Sequence, residues 1–173
     1  MKKYLFFVYL ISLCSGAGAE QHFLNGIDYS GVSAFTDDTV YVDSGAIVST
    51  AGDTIIMTDT VYLYNRGRID GTIDANGKTL IVYNSGLLNG GINPNGGLVK
   101  QVITSASEIT DIGMPAGQSP VVFIQDYNNF DFNNIENIKA ERFVIKESSV
   151  VVDSFSDWQM CPENIENLAE MFL

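Results

Sequence analysis

The chain is poor in basic residues, cysteine, histidine and proline. Nine Lys and Arg stand against 21 Asp and Glu, for a formal net charge of −12. So few cations argue against a nucleic-acid partner, whose phosphates need a basic surface. The one histidine, His22, leaves a Ser-His-Asp arrangement a single candidate base, and no serine sits in a nucleophile motif. The two cysteines, Cys14 and Cys161, show no spacing suited to zinc, and no glycine motif suited to cradling phosphate is present. Charged residues are only 17% of the chain, too few for a long surface helix or coiled coil. What is abundant is apolar residues, at 46%, and glycine, at 16 positions. That apolar fraction excludes a fully disordered acidic chain. At 173 residues the length suits one domain with a core of useful size.

The first residues read as an address. Lys2 and Lys3 precede an apolar run, Tyr4 to Leu13, and Ala17 and Ala19 stand at the −3 and −1 positions of an A-x-A cleavage site. The run is too short to span a hydrocarbon core of about 30 Å. Residues 1–19 are therefore expected to be a secretory signal peptide. A competing reading lies within it, because Ile11-Ser12-Leu13-Cys14 resembles a lipoprotein box with Cys14 as the lipidated residue. That box favours a small residue where Leu13 stands. Cleavage after Ala19 would leave Cys161 as the remaining thiol, so no intramolecular disulfide is expected despite export.

The middle of the chain repeats itself. Thr60–Lys78 and Thr79–Gly97 align without gaps and share eight identities: Thr60/Thr79, Tyr64/Tyr83, Asn65/Asn84, Gly67/Gly86, Gly71/Gly90, Ile73/Ile92, Asn76/Asn95 and Gly77/Gly96. A looser copy starts at Thr39, 21 residues before Thr60, and reaches Gly45 one residue early. Apolar positions alternate with a period of two, which is strand periodicity. Asn and Gly between them suit corners that need positive φ. Asn65, Gly67, Gly71, Gly77, Asn84, Gly86, Gly90 and Gly96 are the expected corner residues. One such unit cannot bury its apolar side alone. Stacked as coils about 4.8 Å apart, equivalent strands pair and equivalent residues lie over one another. Val61/Leu80, Leu63/Val82, Ile69/Leu88 and Ile73/Ile92 would then fill the interior, and Asn65 and Asn84 would form an amide ladder. The expected fold is an all-β parallel β-solenoid. An antiparallel meander or sandwich is the rival, but it demands no fixed period with glycines in register.

Coils of this kind, with Asn-x-Gly-x-Ile spacing and a period near 19, resemble the passenger regions of bacterial filamentous haemagglutinins and autotransporters over about residues 39–97. The resemblance implies a right-handed β-helix displayed on, or released from, a Gram-negative surface. Such passengers are much longer, and autotransporters add a C-terminal membrane barrel of many strands. The chain is thus expected to be a short stand-alone relative or part of a longer passenger.

Flanking segments complete the organisation. Residues 20–36 are expected to cap the first coil, 37–104 to form coils, 105–120 to make a loop or excursion, and 121–155 to add further β coils. Within 156–173, Ile165, Leu168, Ala169 and Phe172 share one helical face behind Pro162. That segment is expected to be a short C-terminal helical cap or the start of a continuation.

Candidate chemistry is sparse. Stacking would bring Asp70 beside Asn89 and Asp74 beside Asn93, gathering two carboxylates and two amides on one flank. Ca²⁺ takes about six to eight oxygen ligands, so this flank is the candidate cation site; solvation of the outer face explains it equally. Two carboxylates at defined separation are also what glycoside hydrolysis uses. No other cofactor is expected. Tyr41, Tyr62, Tyr64 and Tyr83 alternate with interior positions and should share an outer face, able to stack on sugars or anchor a protein partner. A non-catalytic adhesive or structural surface protein is the leading expectation. A polysaccharide-binding or polysaccharide-degrading β-helix protein and a small lipoprotein of the outer surface or periplasm are the alternatives.

Overall fold

A computed structural model of the chain describes residues 19–127, 130–131, 138, 140–146, 150–151 and 165–166. Its strands are short and their side chains alternate between interior and surface, as Thr79–Asn84 does along its whole length. Eight strands form one sheet: β1 (Glu20–Phe23), β4 (Thr39–Val42), β6 (Val61–Asn65), β8 (Thr79–Asn84), β11 (Leu98–Ile103), β12 (Val121–Gln125), β14 (Arg142–Lys146) and β16 (Ile165–Glu166). A second sheet contains β2 (Asp28–Tyr29), β3 (Ala34–Phe35), β5 (Ile47–Met57), β7 (Arg68–Asp74), β9 (Leu87–Leu88) and β10 (Ile92–Asn93). A third pair joins β13 (Phe130–Asp131) to β15 (Val150–Val151). Every pairing between them is parallel, and neighbours in each sheet come from successive turns of the chain. This is a parallel β-solenoid of about six turns.

The repeat stacks as its sequence aligns. Val61 lies beside Leu80, Leu63 beside Val82, Tyr64 beside Tyr83 and Asn65 beside Asn84. On the second sheet Ile69 pairs with Leu88 and Ile73 with Ile92. Val61, Leu63, Ile69, Ile73, Leu80, Val82 and Ile92 are buried, and Leu88 packs against them. Each such side chain withdrawn from water contributes about 1.5–3 kcal/mol.

The looser copy keeps its 21-residue spacing on the second sheet, where Ile47 pairs with Arg68, and departs from it on the first. Thr39 pairs with Tyr62 rather than Thr60. This two-residue shift keeps the same faces inward, with Val40 over Leu63, and it sets Tyr41 over Tyr64. The surplus is absorbed at corners. In β5 the register against β7 breaks between Ser49 and Thr54, so Thr50–Asp53 stand opposite Gly71 alone.

The glycines of the repeat divide into two kinds. Asn76 and Gly77 have φ of 50° and 73°, and Asn95 and Gly96 have 44° and 79°. Each pair forms the centre of a tight turn, closed by Lys78 N–H to Ala75 C=O at 2.8 Å and Gly97 N–H to Pro94 C=O at 2.7 Å. Two successive positive φ values define a type I′ turn. Gly67, Gly86 and Gly90, expected as corners of the same sort, do not have positive φ. They are glycine because coils touch there: a Cβ on Gly67 would lie 2.5 Å from the Asp43 carbonyl oxygen, and one on Gly86 would collide with that of Gly67.

Residues 20–36 supply β1, β2 and β3, with β1 at the edge of the first sheet and β2 at the edge of the second. The apolar spacing after Pro162 predicts a helix, yet Ile165–Glu166 is a strand hydrogen-bonded along β14. The edge of β14 offers backbone partners to this segment, which outweighs a short local helical pattern. The remainder of that helix, the signal segment before Ala19, Cys14 and Cys161 lie outside the described residues. Residues 105–120 contain no strand and one 3₁₀ turn, at Ala106–Glu108.

Candidate functional site

The corner residues Asn65 and Asn84 are buried and bonded to each other, Asn65 Nδ2 donating to Asn84 Oδ1 at 2.7 Å. Asn84 Nδ2 donates in turn to Thr110 Oγ1 at 2.9 Å. The excursion thus returns to place Thr110 where the next Asn of the ladder would stand. These amides serve the scaffold.

The outward face of the first sheet carries an aromatic column. Rings of Tyr41 and Tyr64 stack at 5.0 Å between centroids, and those of Tyr64 and Tyr83 at 4.5 Å. His22 extends the column above Tyr41 at 4.7 Å, with its Nε2 3.1 Å from Glu20 Oε2. Sequence reasoning named His22 only as the single candidate base; its register partner Tyr41 reveals its place once β1 is recognised as a strand of the same sheet. Tyr62 belongs to the neighbouring column, between Thr39 and Ile81, and is 42% exposed. Because the column rings cover one another, their flat faces are occupied by neighbours. Burial, the neighbouring Tyr64 and a hydrogen bond with it push the Tyr83 hydroxyl up to about 12. Tyr64 is raised too, first by burial and then by Tyr41.

The acidic flank is assembled as two small networks. Asp70 Oδ1 accepts from Arg68 Nε at 2.7 Å and from Asn89 Nδ2 at 2.5 Å. The Arg68 hydrogen bond holds Asp70 below the usual carboxylate range against the opposing effect of burial, and Asn89 adds to the lowering. Asp74 Oδ1 accepts from the Asn76 N–H at 2.7 Å and from Asn95 Nδ2 at 3.1 Å. Asn93, the register partner of Asp74, accepts the Asn95 N–H at 3.2 Å. The flank residues therefore come together in register, with Asp70 Oδ1, both Asp74 oxygens and Asn93 Oδ1 accepting from N–H donors. Among the described residues, no three His, Cys, Asp or Glu side chains group where a metal ion could sit.

Fold and surface define a class, the parallel β-solenoid with columns of like side chains along its outer faces. The chain matches no protein-family model, no curated protein and no solved structure.

Proposed function

We propose that the chain is an exported, non-catalytic β-solenoid that works at or beyond the cell surface as a passenger-like adhesive or structural protein. The observation that carries this reading is the aromatic face: His22, Tyr41, Tyr64 and Tyr83 rise in one column with Tyr62 exposed beside them. Tyrosine presents apolar area and a hydroxyl together at low entropic cost, a combination that favours protein and glycan contacts. The leading segment, with Lys2, Lys3 and the Ala17-x-Ala19 site, supports export, and the surplus of acidic residues keeps such a protein soluble once released.

The test is expression of the full chain in a Gram-negative cell. The mature protein is expected to begin at Glu20 by mass spectrometry and to be found outside the cytoplasm. Beads coated with it should adhere to cell or glycoprotein layers, and Tyr62→Ser should weaken that adhesion. An uncleaved chain in the cytoplasm, or beads that adhere to nothing, would overturn the reading.

A further inference from the structure

A notch of about 380 Å³ opens on the second sheet, walled by Ser49, Thr50, Asp53, Asp70 and Thr72. It exists because β5 is longer than the strand below it, its residues Thr50–Asp53 facing Gly71 alone. The floor is glycine for a steric reason. A Cβ on Gly71 would lie 2.5 Å from Thr50 Cγ2, and one on Gly90 would strike the Gly71 backbone. The floor therefore presents peptide groups instead of side chains, a setting in which a ligand can approach the backbone closely. The volume falls in the lower part of the range of about 300–1,000 Å³ found for small-molecule sites.

The walls select a chemistry. They hold hydroxyls, carboxylates and peptide groups, with no aromatic or large aliphatic side chain for an apolar ligand to pack against. Asp53 and Asp70 sit in it with Arg68 as the adjoining cation, on a chain of net charge −12, so an anion is repelled. Asp70 is held ready. Arg68 and Asn89 bind its Oδ1, while no donor among the described residues reaches its Oδ2. The Asp53 carboxylate likewise has no partner among them. A fixed carboxylate with a free oxygen, beside hydroxyls and bare peptide groups, is suited to accept from neighbouring hydroxyls of an uncharged polyol.

We propose that this notch binds a neutral saccharide unit of a glycan chain. The proposal rests on the reading of the protein as a binding module, and it assigns the sugar to the notch instead of the tyrosine face. Its test is calorimetric titration of the secreted protein with cellohexaose, mannohexaose and lacto-N-tetraose. At least one should bind. Asp53→Ala and Asp70→Asn should each weaken that binding by about tenfold or more, the loss expected for hydrogen bonds to a charged group, with unchanged circular dichroism. Asp53 is exposed, so its variant keeps the test sound even where Asp70→Asn disturbs the fold. The proposal fails where none of the three sugars binds or where both notch variants bind like the parent. Continued adhesion of coated beads in those cases leaves the broader reading standing; absence of adhesion by the parent protein removes that reading itself.

Discussion

At the scale of the residue, glycine does two jobs in this solenoid, and the two differ in cost when replaced. Gly77 follows Asn76 through a turn at φ of 73° with nothing within 4 Å of a Cβ. An alanine there must enter the left-handed region, at about 1–2 kcal/mol. Gly86 has ordinary φ, but a Cβ would be driven into the Gly67 carbonyl of the coil before it and towards Asn65 Nδ2. No flexible side chain can yield to admit it, because the obstacle is backbone. Overpacking of this kind costs about 1–3 kcal/mol and occasionally more; Gly86→Ala belongs at the upper end, since it also presses on the Asn65–Asn84 ladder. Urea denaturation should therefore rank Gly86→Ala below Gly77→Ala in stability, and Gly77→Asn above Gly77→Ala because Asn tolerates positive φ. Equal losses at the two positions would show that the coils do not touch there.

At the scale of the element, the aromatic column binds three strands of the tandem repeat to β1. Tyr83 titrates to about 12, above the ordinary tyrosine value of about 10, because burial and Tyr64 disfavour its phenolate. A raised folded-state pKa means that folding holds the proton more tightly than the unfolded chain does. The associated stability is fully present below about pH 10 and is lost as pH rises through about 12. Near-ultraviolet tyrosinate absorbance should show a late-titrating phase that shrinks in Tyr83→Phe, where Tyr64 still titrates late, and vanishes in denaturant. A single phase at the ordinary value would contradict the stacked arrangement. Much of this element was legible beforehand. The gapless 19-residue alignment placed Tyr64 over Tyr83 and Asn65 over Asn84, because identical neighbours in a solenoid share one environment. What was illegible were the places where coils differ in length. The looser copy's spacing concealed both the pairing of Thr39 with Tyr62 and the outgrowth of Thr50–Asp53, since corners absorb extra residues without altering the alternation that periodicity detects. Its early Gly45 and its 21-residue spacing were the signs of unequal corners. The helical spacing around Ile165 misled for a related reason: a free sheet edge is a tertiary feature that a local pattern does not carry.

At the scale of the whole molecule, the described interior residues fall into two clusters. A large apolar cluster extends from Phe23 to Ile112, and a smaller one comprises Ile103, Val122, Ile124, Phe130 and Ile145. The two meet across β11, where Val99 belongs to the first, Ile103 to the second, and the inward residue between them is the buried Gln101. Gln101 Nε2 donates to the carbonyls of Thr110 at 2.8 Å and Glu108 at 3.2 Å, tying down the excursion that follows β11. Its Oε1 has no partner among the described residues, so the layer adds little cohesion of its own. In a solenoid each turn is stabilised by its neighbours, and a weak layer lets the turns on either side open separately. The larger cluster should then remain protected while the smaller one opens. Native-state hydrogen exchange is expected to show faster exchange for amides of Val121–Gln125 and Arg142–Lys146 than for Val61–Asn65 and Thr79–Asn84. The difference should persist at low denaturant, where local openings dominate, and should shrink as global unfolding takes over. Equal protection across all four strands would mean that the two clusters unfold as one, with the Gln101 layer coupling them despite its orphan oxygen.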